Sequence, residues 1–425
     1  MNPSARCVTV ATLLYNFFPF SIGLMAQPFK EILQTILGKS FILLGGFGAA
    51  VLSSKIWGAE GRGAIALFVA NLGFTAIFSN VFTNGCVCYY STRVGVAPLM
   101  TQSLLWTVVV SLIAGAFFCH DVDILVMAMF FVISLLMAAL TFCLSVLLGK
   151  QKVADFNRVT VFQPVALLCF MLFFWRFLIP SVSAYYVAML VSYFLALVWC
   201  VSILKKCDVE AEFSKIRPDV LKKCFSYGVQ EEIGAFLKLL VYRLPYYFLS
   251  ASIGTFSVGV FSIGVALSES VCVISRSVSL VQYSHLLTPE SATSGKAFSQ
   301  TNRLAMLSLL LSVAVLLVAQ IIPIEVYTFV FGSDFSQLKS ILLLLSPGIL
   351  SVSLTMVHSH YLMATGRLKP IILSSAVGAV VVALACFFFI PKYGLEGACY
   401  SNSIGHLVCS SVLFVSFYLV GRNLK

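Results

Sequence analysis

The chain has 425 residues, of which 60% are hydrophobic and only 10% are charged, and its mean hydropathy is +1.01. A soluble domain carries about a quarter charged residues, so a water-soluble fold could not hide this much apolar surface. Most of the chain must therefore lie in a lipid bilayer. The apolar runs are continuous rather than alternating, which excludes a transmembrane β-barrel.

The net charge of +11 would suit a nucleic-acid partner, but the positions of the basic residues explain it otherwise. Most Lys and Arg fall in the loops on one side of the predicted spans, the side that holds the amino end of the first span. Cytoplasmic loops of membrane proteins carry such an excess. We therefore predict that both ends of the helical core, including Lys425, lie in the cytoplasm, and that nucleic acid is not a partner.

Residues 1–38 form an amino-terminal extension before the helical core. Its apolar part, Val8–Ala26, is interrupted by Pro19, so that a signal peptide, an extra helix and an interfacial segment all remain open. Cleavage of a signal peptide would leave Lys30 and Lys39 outside, which the positive-inside rule disfavours. We therefore favour an interfacial or re-entrant element.

The rest of the chain contains twelve apolar runs near the length of about 20 residues that a spanning helix needs. The predicted spans are Ser40–Trp57, Gly63–Tyr89, Leu99–Phe118, Ile124–Leu148, Val159–Trp175, Ser183–Leu204, Gly228–Leu249, Ser257–Ser277, Leu304–Ile322, Ile341–Leu362, Ile371–Ile390 and Gly397–Val420. The sequence thus predicts an all-α, polytopic integral membrane protein.

A Gly-rich polar stretch, Lys55–Leu67, separates the first two spans and predicts a tight turn. A weaker copy begins at Ser252, and in both copies the following helix opens with Gly, Gly63 or Gly259. Such an echo suggests two related halves, which are common in transporters. Gly-bearing turns that recur by chance are the alternative.

The longest polar stretch follows the sixth span and divides the spans into six and six. We predict a first six-helix lobe at 39–204, a cytoplasmic linker at 205–225 and a second six-helix lobe at 226–425. Because six is even, both halves start on the same side of the membrane, as parallel repeats do.

Neither a metal site nor a cofactor is predicted. The 13 Cys are mostly dispersed in apolar runs, where Cys acts as a small hydrophobic residue. The run Cys119-His120-Asp121 fits a polar turn better than a metal site. His358 and His360 stand about 200° apart on a helix, which excludes a metal pair on one face.

The seventh span is the most polar and carries Glu231, Glu232, Lys238 and Arg243. A charged residue at mid-bilayer costs about 2.5–3.5 kcal/mol on insertion scales, so these side chains should face a cavity, form pairs or reach the interface. At 100° per residue they fit within an arc of roughly 140°. The sequence therefore predicts one polar helix face, with a solvated cytoplasmic mouth as the alternative for the two Glu residues.

Pro245 predicts a bend near the end of this span, because it cannot donate a hydrogen bond to the carbonyl of Val241. In the eighth span, Glu269 and Arg276 are seven residues apart and share a face. Arg276 either lines a cavity or reaches the inner interface. Three tyrosines of the seventh span could contact sugar faces, although we favour interfacial anchoring for them: Tyr242, Tyr246 and Tyr247.

Several motifs now resemble one known family. Gly58-Ala-Glu-Gly61-Arg-Gly63 resembles the first turn of polysaccharide-export flippases. Phe331-Gly332-Ser-Asp-Phe-Ser and Ala364-Thr-Gly366-Arg367 resemble the two ends of their tenth helix. Ile390-Pro391-Lys-Tyr393-Gly394-Leu-Glu-Gly397 resembles the start of their twelfth helix. The order and spacing agree from about Lys39 to the carboxyl end, and the family is the O-antigen flippase group.

This resemblance implies two six-helix lobes around a central cavity that opens alternately to each side of the bacterial inner membrane. It implies transport of an undecaprenyl-pyrophosphate-linked repeat unit, with membrane lipids, a polysaccharide polymerase and a chain-length regulator as partners. The chain departs from the family at Pro245, since relatives often carry an acidic residue shortly after the arginine of helix seven. That departure leaves the coupling ion open.

The predicted site follows from this cargo, because Lys and Arg complement phosphate charge. The predicted substrate-binding residues are Lys238, Arg243 and Arg276, and the predicted coupling or charge-balancing residues are Glu231, Glu232 and Glu269. A multidrug-type exporter of the same superfamily is the alternative, although drug exporters usually expel cations through an acidic cavity. An enzyme is disfavoured, because the sequence has no long hydrophilic loop with acid and base residues.

Overall fold

The computed structural model describes residues 26–83, 96–118, 123–150, 152–206, 218–286 and 295–422. Within these ranges the chain is helical and contains no strand, so the predicted all-α class is confirmed. The helices are α1 Ala26–Ser79, α2 Val96–Phe118, α3 Ile124–Gly149, α4 Val153–Phe177, α5 Ser183–Lys205, α6 Pro218–Ser252, α7 Thr255–His285, α8 Gly295–Ile321, α9 Ile324–Phe331, α10 Leu338–Ala364 and α11 Lys369–Arg422. Two short 3-10 turns, Asn80–Phe82 and Ser333–Phe335, join them.

Eleven of the twelve predicted spans coincide with a helix or with half of a bent one. The span predicted over Gly63–Tyr89 is helical to Ser79, and its last residues, 84–89, lie outside the described residues. Nine stretches of the described residues are long and apolar enough to cross a membrane. Two of them have 39 and 52 residues, enough for two crossings each. These nine stretches therefore hold eleven spans. Helix α6 is too polar to be counted among the nine, and with it, as the seventh span in chain order, the described residues hold twelve.

The break between the first two spans lies at a single residue, Gly58. Its φ of 65° is in the left-handed region, where a side chain is strained. The polar turn predicted over Lys55–Leu67 is therefore shorter than expected, because the helix resumes at Ala59. Gly394, with a φ of 58°, makes the same kind of break in α11.

The two copies of the Gly-rich pattern occupy matching positions and contact each other. Gly254, with a φ of 100°, stands before α7 as Gly58 stands before the second half of α1. A Cβ atom added to Gly63 would lie 1.9 Å from the carbonyl oxygen of Thr255. One added to Gly259 would lie 1.7 Å from the carbonyl oxygen of Ala59. This reciprocal contact supports the interpretation of the echo as an internal repeat.

The apolar core has a part inside the first lobe and a part that crosses the lobe boundary. Phe130, Ile133 and Met171 are fully buried in the first lobe. Phe261 and Ile341 of the second lobe belong to a core that also includes alanines of α1, Ala59 and Ala66 among them. Large apolar side chains elsewhere on α2 to α5 and α8 are exposed, as expected for helices that face lipid.

A seam of buried serines joins α7, α8 and α10 inside the second lobe. The Ser308 hydroxyl donates to Ser275 and to the carbonyl oxygen of Ser353, the latter at 3.3 Å. The hydroxyls of Ser275 and Ser312 are 3.4 Å apart. Small side chains let membrane helices approach closely, and their hydroxyls satisfy one another.

Helix α6 begins at Pro218, so part of the segment predicted as linker is helical. Val8–Ala26, the Cys119-His120-Asp121 run and Lys425 lie wholly or almost wholly outside the described residues. The exact lobe boundaries therefore stay predictions.

Candidate functional site

A cavity of about 300 Å³ lies between the two lobes. Helices α1, α4 and α5 form its first-lobe wall, and α6 and α7 form its second-lobe wall. Most of its surface is apolar. Its polar lining residues are Arg62, Tyr185, Arg243, Tyr246, Ser262, Glu269 and Ser270.

Arg243 occupies the second-lobe wall of this cavity, as the polar face of α6 predicted. Its Nη1 donates to the Tyr246 hydroxyl at 2.6 Å, and its Nη2 donates to Glu269 Oε1 at 3.2 Å. The Arg243 and Glu269 side chains are 26% and 34% exposed, so the ion pair is open to the cavity. A ligand in the cavity could therefore reach the guanidinium while part of its charge is already balanced.

Arg62 is the cavity residue that sequence reasoning missed. It had been placed in the turn, but the helix resumes at Ala59 and directs the side chain between the lobes. Its Nε donates to Ser262 Oγ across the lobe boundary at 3.1 Å, and Nη1 reaches Ser53 Oγ at 3.5 Å. Both partners are neutral, so neither neutralises the guanidinium. The helical period could have identified Arg62 as a cavity residue. It shares one helix face with three other residues that line the cavity: Ala66, Val69 and Ala70.

Arg276 lies apart from this cavity. It lines a second-lobe pocket of about 20 Å³ between α6, α7, α10 and α11. The polar lining residues of this second-lobe pocket are Tyr242, Ser268, Glu269, Cys272, Arg276, Asn402 and His406. Lys238 lies close enough to interact electrostatically with Arg276. Glu269 is common to both sites, because it lines the central cavity as well.

The two predicted carboxylates of α6 are not part of this arrangement. Glu231 is exposed and Glu232 is 7% exposed, and neither lines the central cavity or the second-lobe pocket. Of the three predicted carboxylates, the structure brings only Glu269 to Arg243. Roles in coupling stay predictions for all three.

Three tyrosines of α6 contact groups inside the protein: Tyr242, Tyr246 and Tyr247. Tyr246 is 3% exposed and holds Arg243, while the Tyr242 ring meets the His406 ring at 4.6 Å. The interfacial role favoured from the sequence is therefore wrong for these two. Tyr247 donates to Asn71 Oδ1 at 2.6 Å and so joins the lobes.

At the predicted outer end, two of the sequence motifs contact each other. Asp334, in the 3-10 turn before α10, accepts a hydrogen bond at 2.9 Å from the backbone N–H of Ala59. This carboxylate caps a helix that belongs to the other lobe. Lys55 Nζ donates to the carbonyl oxygen of Phe329 beside it.

At the opposite end of the cavity, a Cβ atom on Gly228 would lie 1.7 Å from the carbonyl oxygen of Val81.

Solved structures with the same fold are transporters. The structure matches an inward-facing multidrug resistance MATE family transporter of the MOP superfamily, with a TM-score of 0.71 and 14% identity over 90% of this chain and 95% of that chain. It matches the lipid II flippase MurJ in an inward closed conformation, with a TM-score of 0.68 and 15% identity over 92% of this chain and 90% of that chain. It also matches an outward-facing multidrug resistance MATE family transporter, with a TM-score of 0.61 and 14% identity over 93% of this chain and 95% of that chain.

At these identities the matches establish the fold, two six-helix lobes around a central cavity in a multi-pass membrane protein. No protein-family model and no curated protein matches the sequence.

Proposed function

We propose that this protein is a flippase that moves an undecaprenyl-pyrophosphate-linked oligosaccharide, an O-antigen-like repeat unit, across the bacterial inner membrane. The two lobes would expose the central cavity alternately to the cytoplasm and to the outside. A polysaccharide polymerase and a chain-length regulator would act on the product. The proposal assigns transport and no covalent reaction.

The charge of the central cavity is the observation that carries this proposal. Two arginines, Arg62 and Arg243, and one carboxylate, Glu269, are the charged residues in its lining, so the lining carries a net positive charge. In a low-dielectric path an unpaired charge is strongly disfavoured. A cavity of this charge lowers the barrier for an anionic cargo and raises it for a cation.

Within this proposal Arg243 holds the diphosphate from the second lobe, and Arg62 reaches it from the first. Glu269 balances Arg243 while the cavity holds no cargo. Arg276 and Lys238 act from the adjacent pocket, where they add to the positive potential that the cargo meets. Arginine suits this role because its planar fork donates two parallel hydrogen bonds to a phosphate.

A multidrug exporter is the second candidate, since a MATE transporter gives a TM-score of 0.71. The lipid II flippase MurJ gives nearly the same score, so the fold does not separate the two cargoes. The cationic lining favours the lipid-linked anion.

The test is a flipping assay in proteoliposomes that contain a fluorescent undecaprenyl-pyrophosphate saccharide. We expect wild-type protein to move the lipid, and Arg243→Ala to slow its movement by about tenfold or more, as expected for loss of a charge-assisted bond. Arg243→Lys should keep part of the rate because the charge remains.

Arg158→Ala is the matched control, because Arg158 forms an exposed pair with Asp155 at 3.1 Å, far from the cavity. It should flip the lipid at the wild-type rate. Full activity of Arg243→Ala would remove the diphosphate role. Export of a cationic dye without movement of the lipid would establish the multidrug alternative.

A further inference from the structure

The second-lobe pocket has room for one small species. Its volume of about 20 Å³ exceeds the roughly 10–15 Å³ that a single water molecule requires. A sugar ring or a phosphate group is too large for it. The apolar residues Val265, Ile349 and Val352 complete its wall, which limits the number of polar contacts that solvent could supply.

Asn402 brings an unsatisfied donor to this pocket. The residue is 6% exposed, and its Nδ2 atom has no hydrogen-bond partner among the described residues. A buried amide donor without an acceptor is strongly unfavourable. An acceptor in the pocket would satisfy it.

The positive charges around the pocket outnumber the negative one, which favours an acceptor that carries a negative charge. Arg276 makes no ion pair and no side-chain hydrogen bond within the part of the chain that the structure describes. Lys238 adds a second positive charge nearby. Glu269 is the carboxylate in the wall, and its Oε1 already accepts a bond from Arg243. The Tyr242 hydroxyl in the wall can donate to a ligand, whereas the Ser268 hydroxyl already donates to the Gly264 carbonyl oxygen at 2.8 Å.

We propose that the second-lobe pocket binds one small monovalent anion of the size of chloride, held by the Arg276 guanidinium and the Asn402 amide. A metal cation would be repelled by Arg276 and Lys238. A water molecule would satisfy Asn402 but leave Arg276 without a counter-charge. A chloride-sized anion meets the size, donor and charge requirements together.

This site does not depend on the cargo, and its test contains none. The full chain is purified in lipid nanodiscs, and its melting temperature is followed in sodium gluconate, sodium chloride and choline chloride. We expect a rise that follows chloride and is the same with sodium or choline, since a ligand of the folded state stabilises it.

Asn402→Leu and Arg276→Gln should each raise the half-saturating chloride concentration by about tenfold, because the first removes a hydrogen-bond donor and the second removes a positive charge. Asn71→Leu, a matched change at the lobe boundary, should leave that concentration unchanged. Stabilisation that follows sodium instead of chloride would overturn the proposal in favour of a cation. Equal stability in gluconate and chloride would overturn it in favour of water alone.

A second measurement uses the wild-type protein alone, so it tests the proposal even if the variants do not fold. Crystals of the wild-type protein are soaked in sodium bromide, whose anion scatters anomalously. An anomalous peak between Arg276 and Asn402 supports the proposal, and a flat map there at saturating bromide overturns it. Neither measurement reads flipping activity, so a failed flippase assay would leave this result standing.

Discussion

The interface between the lobes has two kinds of region on the same pair of helices. Near Gly63 and Gly259 the backbones of α1 and α7 touch, and any side chain would collide with the opposite carbonyl. About two turns further along α1, at Ala70, and nearly three turns further along α7, at Glu269, the same helices line the cavity. Side-chain size at a few positions thus decides where the lobes close and where they part.

The largest effect is expected where the backbones touch. Gly259→Ala places a methyl group 1.7 Å from the Ala59 carbonyl oxygen, and overpacking of this kind costs about 3 kcal/mol. We expect lower membrane abundance and loss of transport together, measured by immunoblot and by the flipping assay. Gly115→Ala in α2, where nothing lies within 4 Å, should behave as wild type. Normal export by Gly259→Ala would show that the lobes need not touch here.

A smaller effect is expected in the cavity. Glu269→Gln removes the partner of Arg243, and because the pair is partly exposed the folded state should lose no more than about 1 kcal/mol. Binding of a diphosphate probe should become several-fold tighter, since the probe no longer competes with a carboxylate. Calorimetric titration measures this change, and Glu325→Gln on the exposed face of α9 is the control. Weaker binding would mean that Glu269 helps to hold the cargo.

An effect of similar size on stability is expected at the helix cap. Asp334→Ala leaves the Ala59 N–H without its acceptor, and loss of an N-cap costs about 1 kcal/mol. The melting temperature should fall modestly. Spin labels on the outer ends of the two lobes should show a larger fraction of molecules at the longer distance between the labels, which corresponds to separated lobe ends. Asp155→Ala, which removes an exposed pair on α4, should not change that distance. An unchanged distance in Asp334→Ala would assign closure to the glycine contact alone.

The sequence predicted the fold well because the bilayer imposes a length on each span. Runs of apolar residues located the twelve spans among the described residues, including the span in the polar α6. Glycine at Gly58 and Gly254 marked the bends, since the left-handed backbone there excludes most side chains. These features depend on residues that are neighbours in the chain.

The site was predicted only in part because it depends on helices that are distant in the chain. The prediction offered Glu231, Glu232 and Glu269 as charge-balancing residues, and the structure pairs Arg243 with Glu269. It also placed Arg276 in the same cavity, whereas the packing of α10 and α11 encloses it in a separate pocket with Asn402. Arg62 was missed because a one-residue turn, rather than a long one, directs it inward.

The serine seam between α7, α8 and α10 sets how easily the second lobe can shear. A hydroxyl in a membrane helix can bond to a neighbouring helix or to a carbonyl one turn back in its own, as Ser279 does to Ser275. When Ser308 no longer donates to the Ser353 carbonyl oxygen, its hydroxyl can donate to a carbonyl one turn back in α8 instead, so the Ser308 hydroxyl keeps an acceptor as the helices slide. Interlocked leucines would resist such a slide at every step. In the lobe that carries Arg243, the contact between α7, α8 and α10 therefore resists sliding less than the apolar core does.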